Sequence, residues 1–389
     1  MKKGSLLPVL ILTVAAFVFN TSESAPIGLL TDISADLGIS EARAGFLISA
    51  YAWVVAIMSL PLMMACSHVE YRKLMIGIVG LFVASHVVSG IATGYYMLMF
   101  SRMGVACAHS LFWAVATPIA VEVSPKGRRA LAMSLIMTGT SVAQIIGLPI
   151  GRMVGLALGW RMTFICIGSV AAIVLILLIL AFPKVENNTV FSVSELPRML
   201  RNRRLLAIYA IIVLLVTGHF TAYSYIEPFL LQIAGLPQNT ITVVLMIFGL
   251  AGIIASAIFS KNFPSQRTVL TVVSFVGITI GLALLGAASA SLWTITALCI
   301  FWGIAMTFMN LVFQAELMAA EKKATTVAMA LYSGLFNVGI GAGPVIGAWA
   351  INGPGLHTVG YIGAAIALVG SAVSVWFLMR GRKLEVEAR

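Results

Sequence analysis

Apolar and polar positions alternate along this chain on the scale of a lipid bilayer. Apolar stretches lie near 6–30, 43–64, 74–93, 97–121, 130–156 and 161–182, and again near 205–232, 240–260, 268–288, 292–316, 326–350 and 357–380. Each is about long enough to cross the hydrocarbon core as one helix. The pattern predicts an all-α membrane protein of about twelve spans in two six-helix bundles, 1–182 and 205–389. A polar, basic linker joins them over 183–204, PKVENNTVFSVSELPRMLRNRR. The first span contains an anomaly. FNTSESAPIGLL (19–30) places Glu23 three residues before Pro26, and a carboxylate in hydrocarbon costs a few kcal/mol.

The start of the chain imitates a secretion leader, with Lys2 and Lys3 ahead of an apolar run. That run continues past Glu23 to Leu30, so it is expected to stay as the first span. The net charge of +11 changes meaning once it is mapped. Lys2, Lys3, Arg72, Lys73, Arg128, Arg129, Arg267, Lys322, Lys323, Arg380 and Arg382 all fall on the side of the N-terminus. That asymmetry puts both termini in the cytoplasm, and the charge then records topology. No nucleic-acid partner is expected.

Hydrophobic residues make up 60% of the chain and charged ones 10%. A soluble domain is about one-quarter charged, so these values exclude one. Cys66, Cys107, Cys166 and Cys299 are scattered without CxxC spacing, which suits packing residues and neither a disulfide framework nor a metal site. There is no GxSxG, no HExxH and no phosphate-binding glycine loop. The expectation is a protein that is not an enzyme, with no cofactor and no metal, acting as a monomer in the lipid bilayer.

The halves repeat. AMSLIMTGTSVAQIIGLPIG (132–151) lies over AMALYSGLFNVGIGAGPVIG (328–347) at constant offset, so that Gly147 falls on Gly343 and Gly151 on Gly347. Pro26 and Pro228 each follow a carboxylate, Glu23 and Glu227. Six-plus-six repeats around a central site are a transporter plan. The runs GLPIGRMVG and GIGAGPVIG let helices approach closely, and Gly147, Pro149, Gly151, Gly343, Pro344 and Gly347 read as paired gating elements, with Arg152 locking the outer end.

Ionisable residues within spans are functional candidates by default. Asn20 and Glu23 share a face of the first span. Arg102, Ala106, His109 and Trp113 form one stripe of the fourth, with Arg102 at the depth of Glu23. A Glu23–Arg102 pair is expected, with His109 as a proton carrier or a packed neutral residue. His219, Tyr223 and Glu227 step by four in the seventh span, close to Tyr225. Trp302, Asn310, Gln314 and Asn337 line up in the tenth and eleventh. Aromatic rings with hydroxyls and amides suit a sugar. The same residues also serve as interhelical packing and hydrogen-bond glue. His86 has no partner on its own stripe, and Glu316 is expected to meet water or a loop cation.

GLPIGRMVG, GAGPVIG and SRMGVACAH resemble motifs of the major facilitator superfamily drug:H+ antiporters. TSESAPIGLL, YAWVVAIMSLP, AHSLFW, GWRMTF, YSYIEPF, FWGIAM and FNVGIGAG resemble the bacterial sugar efflux group within it, over nearly the whole chain. The resemblance implies the facilitator fold, a place in the bacterial inner membrane, and alternating-access export of arabinose-like sugars and thiogalactosides coupled to protons. A multidrug or other small-molecule antiporter of the same fold is the alternative. One motif departs from the pattern. In MMACSHVEYRKLM, Ser67 stands where the superfamily has aspartate and Glu70 where it has glycine, while Arg72 and Lys73 are kept. Glu70 and Arg72 are therefore expected to make an altered gating lock.

Overall fold

A computed structural model describes residues 6–66, 68–125, 127–185, 201–321 and 325–387, together with Pro197. Lys2, Lys3, Ser67, Lys322, Lys323 and most of the 183–204 linker lie outside the described residues. The chain divides into two compact units, Met1–Phe191 and Ser192–Arg389. Among the described residues all regular structure is helical, and twelve helices are long and apolar enough to cross a membrane. This is a multi-pass membrane protein.

In the first unit, span 1 is Leu7–Gly28, span 2 Glu41–Ala65, span 3 Tyr71–Gly90, span 4 Tyr95–Glu122, span 5 Leu131–Leu158 and span 6 Trp160–Ala181. Span 1 starts with Pro8 in its first turn, where a missing N–H is harmless. It is followed by a short helix, Leu30–Leu37, that ends on Gly38 at φ 62°, a left-handed value that glycine adopts without strain. Phe19, Phe82 and Phe112 stack at the centre of this unit, with ring centroids 4.0 and 4.3 Å from Phe19.

Span 5 is packed against span 1 without clearance. A Cβ on Gly147 would lie 2.6 Å from Thr21 Oγ1, and one on Gly151 would touch Thr163 and Ala25. A five-residue wide turn, Ala143–Gly147, interrupts span 5 just before Pro149.

In the second unit, span 7 is Arg203–Tyr223, span 8 Gln238–Phe259, span 9 Ser265–Ala283, span 10 Leu292–Ala320, span 11 Val327–Asn352 and span 12 Leu356–Ser374. The seam recurs here. A Cβ on Gly343 would lie 2.8 Å from the Thr221 backbone nitrogen, and one on Gly347 would lie 2.7 Å from Thr221 O. The seventh apolar stretch is not one helix to residue 232 as its hydropathy implies. It breaks at Ser224–Tyr225 and resumes as Ile226–Pro228 and a wide turn, Phe229–Ile233. Pro228 has no N–H to return to the Ser224 carbonyl.

Candidate functional site

Pro26 explains the polar centre of the first unit. It cannot donate to the carbonyl four residues back, so the Ser22 oxygen needs another donor. Arg102 supplies it from span 4: its Nη1 lies 3.1 Å from Ser22 O and 3.2 Å from Ser22 Oγ. Arg102 is 1% exposed, and its guanidinium rests over the Tyr51 ring, 4.5 Å from its centroid. A ring face offers a buried cation further stabilisation.

Glu23 turns elsewhere. The ion pair expected between Glu23 and Arg102 is not formed. Glu23 instead faces His109, with Oε2 3.8 Å from Nε2. Spacing placed Glu23 and Arg102 at one depth, but the arginine is already engaged by the freed carbonyl. His109 is buried, and its Nδ1 has no hydrogen-bond partner. Its ring stands edge-on to Tyr51 at 5.7 Å and lies 6.2 Å from Trp113. The Glu23 side chain stays 28% exposed, so the carboxylate is the accessible member of the pair. Asn20 donates to Ala16 O on its own helix at 2.9 Å.

His86, unpartnered on its own stripe, has a partner across the bundle. Its Nε2 lies 2.9 Å from Ser22 Oγ and its Nδ1 2.9 Å from Phe82 O. Ser22 and His86 are site residues that sequence reasoning missed. The spacing of Ser22 to Pro26 was the available signal, because it identifies the one carbonyl in the segment that must look outside its helix.

In the second unit, spans 10 and 11 line a cavity of about 230 Å³ with Asn310, Gln314, Met329, Tyr332, Ser333, Phe336 and Asn337. Gln314 Nε2 and the Tyr332 hydroxyl both donate to Asn310 Oδ1, at 2.6 and 2.8 Å. Asn337 donates to Ser333 O at 2.9 Å, while its own Oδ1 is buried without a partner. The wall therefore carries amides and hydroxyls with no charge. Tyr332, Met329 and Phe336 join the expected Asn310, Gln314 and Asn337 because they share the cavity-facing side of span 11.

His219 and Tyr223 of span 7 and Trp302 of span 10, separate candidates in the sequence, pack against one another. His219 stacks on Tyr223 at 4.9 Å, and both pack against Trp302. Phe248 closes the cluster, 5.1 Å from Tyr223. Tyr225 is not brought to the cavity: it is buried and donates to Pro344 O at 2.7 Å, joining the broken end of span 7 to span 11. Glu227 is also fully buried beside this joint.

The gating expectations find specific partners. Arg152 is buried and donates to Gly28 O, so it caps the end of span 1. The expected Glu70–Arg72 lock is not formed among the described residues. Arg72 Nη2 donates to Ile179 O at 2.6 Å instead, tying span 3 to span 6, because its long side chain reaches the open carbonyls at that helix end. Glu316 pairs with Arg267 and lies 3.6 Å from Arg204, so its cations come from the ends of spans 9 and 7 and not from a loop. Among the described residues, no group of three His, Cys, Asp or Glu side chains could hold a metal ion.

A profile of the Major Facilitator Superfamily matches residues 12–327. The chain belongs to that superfamily. It is a membrane transporter and not an enzyme. Solved structures share its fold at low identity. A bacterial homologue of the human lysosomal transporter Spinster, inward-facing and unoccupied, is 15% identical with TM-score 0.73, over 94% of this chain and 95% of that one. A variant of the nucleoside transporter NupG is 12% identical with TM-score 0.76, over 95% and 100%. A POT family transporter in complex with 5-aminolevulinic acid is 12% identical with TM-score 0.76, over 95% of each chain.

Proposed function

We propose that this facilitator exports neutral sugars of the arabinose and thiogalactoside class across a bacterial inner membrane, in exchange for protons, as a monomer with both termini in the cytoplasm. The observation that carries the coupling is the Glu23–His109 pair. A partly accessible carboxylate in a span faces an imidazole, while the nearby arginine is engaged elsewhere. Glu23 is the proton carrier, His109 is the imidazole its carboxylate faces, and alternating access moves the loaded carboxyl between sides. Each inward proton supplies roughly 2.3 kcal/mol per 100 mV, enough to concentrate an uncharged cargo by roughly fifty-fold. The uncharged cavity of Asn310, Gln314, Tyr332 and Asn337 supports a polyhydroxylated cargo.

Met329 and Phe336 in the same wall favour a second reading, an antiporter for amphipathic drugs. Proteoliposomes with an imposed pH gradient separate the two. Gradient-driven movement of radiolabelled arabinose or a thiogalactoside, abolished by a protonophore, supports sugar export. Movement of neither sugar, with drug accumulation instead, replaces it.

A further inference from the structure

The Arg102–Ser22–His86 contacts have a fixed direction. Arginine can only donate, so both Ser22 oxygens accept from Nη1. A backbone carbonyl can only accept, so His86 Nδ1, 2.9 Å from Phe82 O, carries the ring proton. In the neutral imidazole Nε2 is then an acceptor, and the Ser22 hydroxyl donates to it across 2.9 Å. An imidazolium would point a second N–H at Ser22 Oγ, where the guanidinium already donates. The chain of bonds thus runs from Arg102 to Ser22 to His86, and it closes on Phe82.

The seat is built for that ring. Phe82 lies 4.2 Å from the His86 centroid. Span 6 has Gly168 opposite, where a Cβ would come within 2.9 Å of His86 Cβ. Ser22 is the residue before Glu23, so what holds the guanidinium at Ser22 also decides whether it reaches the neighbouring carboxylate.

We propose that Ser22 and His86 are positioning residues for Arg102. They hold its guanidinium on the span 1 carbonyl freed by Pro26, and so leave Glu23 to exchange its proton opposite His109. This rests on the coupling role proposed for Glu23. Without the hydroxyl, Arg102 keeps one oxygen of its two and swings towards Glu23. Without an acceptor at His86 Nε2, the hydroxyl turns and competes with Arg102 for nearby oxygens.

The test uses the full chain in nanodiscs and proteoliposomes. In 15N-histidine spectra, the signal lost in His86→Gln is expected to be the neutral Nδ1–H form, and its Nε2 shift is expected to move in Ser22→Ala. Gradient-driven transport of radiolabelled arabinose or a thiogalactoside is expected to fall roughly tenfold in Ser22→Ala and His86→Leu. It is expected to recover in His86→Gln, whose amide oxygen can accept from Ser22. In an Arg102→Gln background, Ser22→Ala is expected to add nothing, as residues acting through one group do. An Nε2–H or doubly protonated His86, or full additivity with Arg102→Gln, overturns the positioning role. Should His86→Leu fail to fold, Ser22→Ala alone decides. Wild-type protein that moves neither sugar overturns the cargo instead, and the tautomer still judges the network.

Discussion

The Glu23 carboxylate lies 3.8 Å from His109 Nε2, while Arg102, on the same stripe as His109, is bonded to Ser22. One residue of span 1 therefore separates the anion from the cation that would neutralise it. The arrangement keeps two ionisable groups close without joining them in a static ion pair, as the proposed proton exchange requires.

Glu23→Gln is expected to abolish uphill sugar transport while exchange of labelled for unlabelled sugar continues. Paired gradient and counterflow assays in proteoliposomes check this. Uphill transport that survives in the variant removes Glu23 from the coupling step.

Tyr332→Phe removes one donor from Asn310 Oδ1 and leaves the ring in place. A neutral hydrogen bond is worth about 0.5–1.5 kcal/mol, so the half-saturating sugar concentration is expected to rise by up to about tenfold. The maximal rate should change less. An unchanged affinity places the cargo outside this cavity.

Gly343→Ala is expected to destabilise the second unit by about 1–3 kcal/mol, because its methyl meets backbone, which cannot step aside. Gly77→Ala is the control, since nothing lies within 4 Å of a Cβ there. Melting temperatures in detergent compare the two, and equal values would contradict the packing.

Asp32, just beyond span 1, has its carboxyl pushed above the usual range by burial, with Arg152 and its own backbone N–H pulling the other way. A raised acid favours the uncharged form in the folded state, so its ionisation weakens folding as pH rises. Asp32→Asn is expected to raise the melting temperature at neutral pH, with the gain fading below about pH 4, where unfolded aspartate is also protonated. A gain that persists at low pH assigns the effect to something other than ionisation.

Hydropathy made the twelve spans legible, because burial in lipid demands length and apolarity before anything else. The glycine repeat was legible because backbone contact tolerates no side chain. Partner choice was less so. Helical spacing gives a residue's face and depth but not its rotamer, and Arg102 had two acceptors within reach. Tyr225 was chosen for its place beside the bend at Pro228, but closeness to a bend gives no direction for the ring, which turns to the Pro344 carbonyl of span 11. His86 could not be paired from its own stripe, since its partner belongs to span 1.

The glycine seams also restrict how each half can deform. At Gly343 and Gly347 the nearest atoms include main chain of span 7, and at Gly139 they include main chain of span 1. Helices in such contact cannot slide past each other by a fraction of a turn without collision. Spans 1 and 5 must travel as one block, and so must spans 7 and 11. Relative sliding within each half is thereby blocked along these two seams, which brace span 1 against span 5 and span 7 against span 11.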